Sequence, residues 1–262
     1  MTAPRLHVIP AARSPLALVV RRGPSRQVAS LLWNRETGAL SLGQWLMGRI
    51  YEYRSDLSPD GRHMIVFAGN GRRWWTALSR APWLTARGFW PQGHTWHGGG
   101  AFTARGQVFL NGAYPAKTLP DGLRPAPASA FPHSTDGFHM GGLYAAMLAL
   151  RGWEDLGGAR YDTRLGKPVG AGWHLEISVQ IGAPKRALVS LKYALRGPDG
   201  TVHPKPDWTW AEAWAGGLHM AEGGALWSVP VDARGLGSPT LLHDLNPLQF
   251  SARQAPYPAL PA

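Results

Sequence analysis

Short apolar runs, each cut off by glycine, proline or aspartate, recur along the whole chain. LALVVRR (16–22), RHMIVFA (62–68) and LVSLKYALR (188–196) are examples. Runs of this length bounded by turn residues read as buried strands rather than helices. Four of the boundaries share one chemistry: SPDG (58–61), LPDG (119–122), STDG (134–137) and GPDG (197–200). Asp-Gly supplies the left-handed backbone of a tight turn, and proline presets the residue before it. LHMAEGGALWSVPVD (218–232) reads as strand, Gly-Gly turn, strand, followed by a DARGLG loop and an outer strand in PTLLHDLN. Short strands and turns succeeding one another every 8–12 residues or so predict antiparallel sheets. Grouped at a period of about 45 residues, they predict propeller blades.

The parse gives five units, 16–47, 54–90, 93–132, 150–203 and 206–246. The predicted fold is therefore all-β: a single β-propeller domain over 1–262, with about five blades of short antiparallel strands. LALVVRR (16–22) and LQFSARQAPY (248–257) are predicted to pair and close the ring, removing exposed sheet edges. One short helix is predicted near 142–151, with Leu143, Met147 and Leu150 on one face and Gly152 as its stop. The Pro/Ala-rich segment 114–140 reads as a surface loop, longer than a compact domain usually leaves without a purpose.

The unit SPDG-R-x-M-I-V-F resembles the repeats of the TolB/WD40-like β-propellers, in which SPDG turns two strands of a blade. More closely, RRGPS (21–25), GQW (43–45), GRIYE (48–52), DLSPDG (56–61), WTALSRAPWLTA (75–86), WPQGHTWHGGG (90–100) and AEGGALW (221–227) are similar to a family of uncharacterised bacterial propeller-like proteins. The resemblance spans most of the chain. It implies the propeller fold and brings no activity with it. The chain departs from the family pattern at His94, where Asp is usual, so no metal or acid role is carried over to that position.

Composition adds two points. Glycine (33) and proline (23) are abundant and there are 13 tryptophans, as suits many short elements around aromatic-filled sheets. Cysteine is absent, which excludes disulfides and thiolate metal sites. The N-terminal residues hold no apolar stretch of secretory type and no long apolar run occurs elsewhere, so a soluble cytoplasmic protein away from membranes is expected.

Charge changes the picture through its placement. Residues 1–110 carry 14 Arg and no Lys against 4 acids, whereas residues 111–262 carry 13 basic groups against 12 acids. Nearly the whole net charge of +11 therefore sits in the first part of the chain. Such asymmetry favours an anionic ligand or acidic protein partner, a nucleic acid being the alternative. The competing explanation is compositional, since Arg outnumbers Lys 22 to 5.

Three stretches in this basic part are candidates for ligand binding. RRGPSR offers Arg21, Arg22 and Ser25, guanidinium forks and a hydroxyl suited to a phosphate or carboxylate. It lacks the GK[ST] of a phosphate loop. GRIYEYRSD offers Arg49, Tyr51, Glu52, Arg54 and Asp56. Strand alternation sends Arg49, Tyr51 and Tyr53 to one face and Ile50, Glu52 and Arg54 to the other, and the polar groups could line a propeller mouth. WPQGHTWHGGG offers His94, Trp96 and His97 beside glycines that admit a close ligand. An HxxH pair falls short of a zinc site, which needs three protein ligands; His133, Asp136 and His139 would have to complete it. No metal and no cofactor is expected.

RRWW (72–75) and PDWTWAEAW (206–214) join charge to aromatic rings, as single-stranded nucleic acid requires, and equally suit strands that pack between blades. Enzyme readings are thin. A glycosidase needs two carboxylates across one pocket, and Glu52, Asp56, Glu212 and Glu222 are the acids at plausible inner positions. No Ser-His-Asp set or nucleophile elbow is present in the pattern. Binding or scaffolding of an anionic partner at a basic mouth is the expected role.

Overall fold

A computed structural model describes residues 2–24, 26–112, 118–131, 140–159, 161–182 and 189–260. Ser25 and the histidines at 133 and 139, with Asp136, lie outside the described residues. The contacts divide the chain into two compact units: Val8–Arg151 with Gln249–Ala262, and Met1–His7 with Gly152–Leu248.

The first unit holds the basic part of the chain. Its first sheet runs in sequence order through β1 (Arg5–Pro10), β2 (Leu16–Arg22), β3 (Gln27–Asn34) and β4 (Leu40–Met47). Its second sheet has β5 (Arg49–Ile50) and β6 (Asp56–Leu57) both paired to β7 (His63–Gly69), followed by β8 (Trp74–Arg80) and β9 (Gly88–Gln92). A hairpin of β10 (Gly100–Phe102) and β11 (Val108–Leu110) follows. SPDG makes the turn into β7: Gly61 has φ +77° and donates to the Ser58 carbonyl. The positive φ is what glycine supplies there.

The two-residue period of β7 explains its apolar run. Met64, Val66 and Ala68 pack with Ile9, Leu18, Val20 and Val28 of the first sheet. Ile65, between them, packs with Leu78, Trp90, Phe102 and Val108 on the other side. A strand buried on both faces loses polar alternation, because both sets of side chains must leave water. Each fully buried Ile or Phe here contributes roughly 1.5–3 kcal/mol.

One helix, α1 (Met140–Ala149), also belongs to this unit. Leu143 and Met147 are buried as predicted from the pattern, but Leu150 lies beyond the helix end and is exposed. Tyr144 meets Tyr53 edge-on at 5.2 Å. The predicted pairing of 16–22 with 248–257 is not what forms. Residues 16–22 are β2, flanked by β1 and β3, and the C-terminal segment is not a strand. With β1 and β3 on its two edges, β2 has no free edge for that segment. The segment is held instead by side chains: Gln44 Nε2 donates to the Arg253 carbonyl (2.8 Å), Phe250 meets Trp45 and Arg253 lies over Trp83.

The second unit holds two antiparallel meanders. One is β12 (Glu154–Ala159), β13 (Asp162–Gly170), β14 (Trp173–Ile181), β15 (Val189–Arg196) and β16 (Val202–Lys205). The other is β17 (Trp210–Trp214), β18 (Gly217–Glu222), β19 (Ala225–Asp232) and β20 (Gly235–Leu236), with β21 (Thr240–Asp244) also paired to β19. The protein is thus all-β with one helix. Four of its sheets are meanders of the kind that forms propeller blades, and the third predicted unit is a two-stranded hairpin among the described residues. No helix among the described residues is long and apolar enough to cross a membrane.

Candidate anion-binding site

The stretch 48–56 does not continue as one strand. A turn of 3-10 helix at Glu52–Arg54 interrupts it between β5 and β6. That turn replaces the two-residue alternation, so Glu52, Arg54 and Asp56 all point into the unit and are buried. Each is then matched by a partner from elsewhere in the unit. Glu52 Oε1 meets Arg22 Nη1 at 3.2 Å. Arg54 Nη1 donates to the carbonyls of Thr95 (2.6 Å) and His97 (3.2 Å), and its guanidinium lies 5.2 Å from the Phe67 ring centre. Asp56 accepts from Leu57 N (2.9 Å), Phe102 N (2.8 Å) and Arg151 Nη2 (2.6 Å).

These bonds bring the three predicted stretches together. Arg22 ties the first to the second, and Arg54 ties the second to the third. The same bonds use up much of the predicted ligand set. Arg21 is 2 % exposed, donates to the Gly23 carbonyl and lies over Trp45; burial lowers its pKa below the ordinary arginine value. The mouth-lining role predicted for Glu52, Arg54 and Asp56 gives way to structural pairing, because charges inside a protein must be matched there. Glu52 and Asp56 are engaged in separate ion pairs, with Arg22 and with Arg151. Glu212, in the second unit, is likewise engaged, by Lys167 (2.7 Å) and Trp153 Nε1 (3.1 Å).

What stays at the surface is cationic and aromatic. Arg49 is exposed and its guanidinium stacks on Tyr51 (4.7 Å). Tyr51 in turn packs on Phe67 (4.8 Å), and Trp74 Nε1 donates to its hydroxyl (3.2 Å). Trp96 is 52 % exposed; its N–H donates to His94 Nδ1, and the His94 and His97 rings stand 5.6 Å apart. His97 Nδ1 is buried without a hydrogen-bond partner. Among the described residues no three His, Asp or Glu side chains are grouped to hold a metal.

Sequence reasoning missed the arrangement of the arginines around Arg49. Gly48 N donates to the Arg26 carbonyl (2.7 Å), and Arg49 pairs with Gly69 across the sheet. The tip after Gly69 is pinned by Asn70 Oδ1, which accepts from the backbone of Arg72 and Arg73. Arg26 Nη1 is the atom nearest to where a side chain on Gly71 would begin, at 3.9 Å. Arg26, Arg49, Arg72 and Arg73 are therefore exposed on neighbouring hairpin tips. None of the four has an acid within 4.0 Å among the described residues. The signal was present as a charge excess, but only strand pairing shows which arginines share a face.

The loop that carries His94, Trp96 and His97 ends on glycines for a steric reason. Gly99 has φ +80°, its N–H donates to Thr76 Oγ1 (2.7 Å), and an added Cβ would stand 2.0 Å from the Arg54 carbonyl oxygen. Gly99→Ala is expected to cost about 2 kcal/mol and to displace this loop. Urea unfolding would show the loss as a lower midpoint with an unchanged slope.

A second acid does more than its turn position declares, although Pro120–Gly122 do form the turn that LPDG predicts. Asp121 of LPDG reads as a turn residue, yet its carboxylate accepts two bonds from Arg80 (2.8 and 2.9 Å). It also lies 3.3 Å from His63 Nε2 and 3.5 Å from Arg87 Nη2. The Arg80 hydrogen bonds come first among the causes that hold its pKa down to about 2. A depressed carboxyl pKa adds stability that is full above the ordinary value and is lost as pH falls through the folded value. Stability should therefore drop between roughly pH 4 and pH 2, by about 1 kcal/mol after allowing for solvent screening. Asp121→Asn should flatten that acid limb, read by urea midpoints across the window.

No family model matches this sequence, and no curated protein matches it. Solved structures give loose likenesses. An uncharacterised protein from Listeria monocytogenes aligns over 92 % of this chain and 67 % of its own, at 8 % identity and a TM-score of 0.30. An acylaminoacyl peptidase, solved with a chloromethyl ketone, aligns over 93 % of this chain and 53 % of its own, at 9 % identity and a TM-score of 0.36. This chain thus spans about half the length of that peptidase. At these scores neither likeness carries a functional argument.

Proposed function

We propose that this protein is a non-catalytic binding module that holds a polyanionic partner on the arginine-bearing hairpin tips of its first unit. We further infer that the four meanders and the β10–β11 hairpin are propeller blades, about five in all. The observation that carries the binding role is the set Arg26, Arg49, Arg72 and Arg73, exposed on adjoining tips without acidic partners among the described residues. Like charges gathered without compensation raise the local potential and cost stability, which an anionic partner reverses. The stack of the exposed Arg49 on Tyr51 orients one guanidinium at the surface, an arrangement suited to phosphate or carboxylate forks.

The test is fluorescence anisotropy with a labelled single-stranded oligonucleotide and with polyglutamate, across a salt series. A phosphate partner should give a log–log salt slope of about −2 to −3 if three or four arginines engage it. Arg49→Ala/Arg72→Ala/Arg73→Ala should abolish most of that slope while leaving the urea midpoint in place. Preference for polyglutamate would identify an acidic protein surface as the partner. Equal binding by wild type and triple variant would overturn the reading.

A further inference from the structure

At the other end of the β7–β8 hairpin lies a cavity of about 590 Å³ within the first unit. Strand register separates it from the arginine tips: His63 pairs with Arg80 at the cavity, whereas Gly69 pairs with Trp74 at the tips. Its walls are apolar, with Leu16 and Leu32 from the first sheet, Trp83 after β8, and Tyr257 from the C-terminal segment. Tyr257 closes one side because its hydroxyl donates to the Thr85 carbonyl (2.9 Å) and accepts from Arg80 N (3.2 Å).

The polar rim is made of Arg62, His63, Arg80 and Asp121. Its one carboxylate, Asp121, is already engaged by Arg80, His63 and Arg87 and has little capacity left for a cationic guest. Arg62 is different. Its side chain is 80 % exposed, and the one acid within 4.0 Å among the described residues, Asp60, reaches only Nε, with Oδ2 at 3.9 Å. The rim therefore carries more positive than negative charge and has one guanidinium with unspent donors, above walls that favour an apolar body.

We propose that this cavity is a binding site for a small organic carboxylate with an aromatic or aliphatic body. The body lies against Trp83, Leu16 and Leu32, and the carboxylate meets the Arg62 fork. Planar guanidinium and planar carboxylate match in two parallel hydrogen bonds, which a neutral amide cannot reproduce. Most small-ligand sites have this build, a concave apolar cavity with a few polar groups at its edge.

The experiment is a calorimetric titration of the full chain with phenylpropionate, and with its neutral amide phenylpropanamide as the control. The acid should bind and the amide should not. Arg62→Ala, at an exposed position whose loss spares the fold, should weaken the acid about 5-fold. The Arg49→Ala/Arg72→Ala/Arg73→Ala variant should bind phenylpropionate as wild type does, which separates this site from the hairpin tips. Absence of binding to wild type, equal binding of acid and amide, or indifference to Arg62→Ala would overturn the proposal. Loss of binding in the triple variant with Arg62 intact would overturn it too, by placing the probe at the tips.

Discussion

Asp56→Ala should lower the stability of the first unit by about 3–5 kcal/mol. Asp56 is 1 % exposed and serves three donors at once, the backbone N–H groups of Leu57 and Phe102 and the Arg151 guanidinium. Those donors come from β6, from β10 and from the end of α1, so one carboxylate fastens three parts of the unit. Its removal takes the carboxylate away from the Arg151 guanidinium, 6 % exposed, which also donates to the carbonyls of Pro10 and Met147. Breaking a buried pair from one side is the costly outcome; the pair itself is of modest net worth. Two further variants separate these. Arg151→Ala alone should also be destabilising, and the double variant should be less damaging than the sum of the two, since each removes the other's penalty. Urea unfolding followed by tryptophan fluorescence gives the three midpoints. Additive losses would show that the bonds to Leu57 and Phe102, and not the ion pair, dominate.

Glu212→Ala should have the second largest effect, about 2–4 kcal/mol, and in the other unit. Glu212 is 2 % exposed on β17. It accepts from Trp153 Nε1 (3.1 Å) and Ala213 N (3.1 Å) and pairs with Lys167 of β13 at 2.7 Å. It thereby joins the two meanders of that unit, with the turn after α1 attached through Trp153. Alanine removes the acceptor of the Trp153 indole N–H and the carboxylate beside Lys167 Nζ. Glu212→Gln keeps an acceptor for the indole and removes the charge, so it should recover part of the loss. A glutamine variant as unstable as alanine would locate the whole effect in the Lys167 pair. Hydrogen exchange resolved by peptide should show lost protection in 152–248 for Glu212→Ala and in 8–151 for Asp56→Ala, because the two acids serve different compact units.

The strands and their grouping were legible in the sequence. Apolar runs such as LALVVRR and RHMIVFA became β2 and β7, SPDG made the turn before β7, and the helix formed about where its apolar spacing put it. These are local matters: a turn needs its glycine within a few residues, and a strand declares its buried faces by its own composition. The five predicted units correspond to four meanders and one hairpin for the same reason. The segment 248–257 was misread because its apolar residues resemble a strand, while β2, its expected partner, already has β1 and β3 on its two edges.

The candidate site was legible as a region and not as a set of roles. The sequence by itself placed the charge excess in the first part of the chain and brought RRGPSR, GRIYEYRSD and WPQGHTWHGGG into one hypothesis. Only the tertiary structure decided which of those groups face water. Asp56 finds its arginine 95 positions away and Asp121 finds Arg80 at a distance of 41, separations over which composition carries no register. A charged residue in a row of charges looks the same in sequence whether it meets solvent or a buried partner. The partner decides, because a charge leaves water only when another charge or dipole replaces the lost hydration.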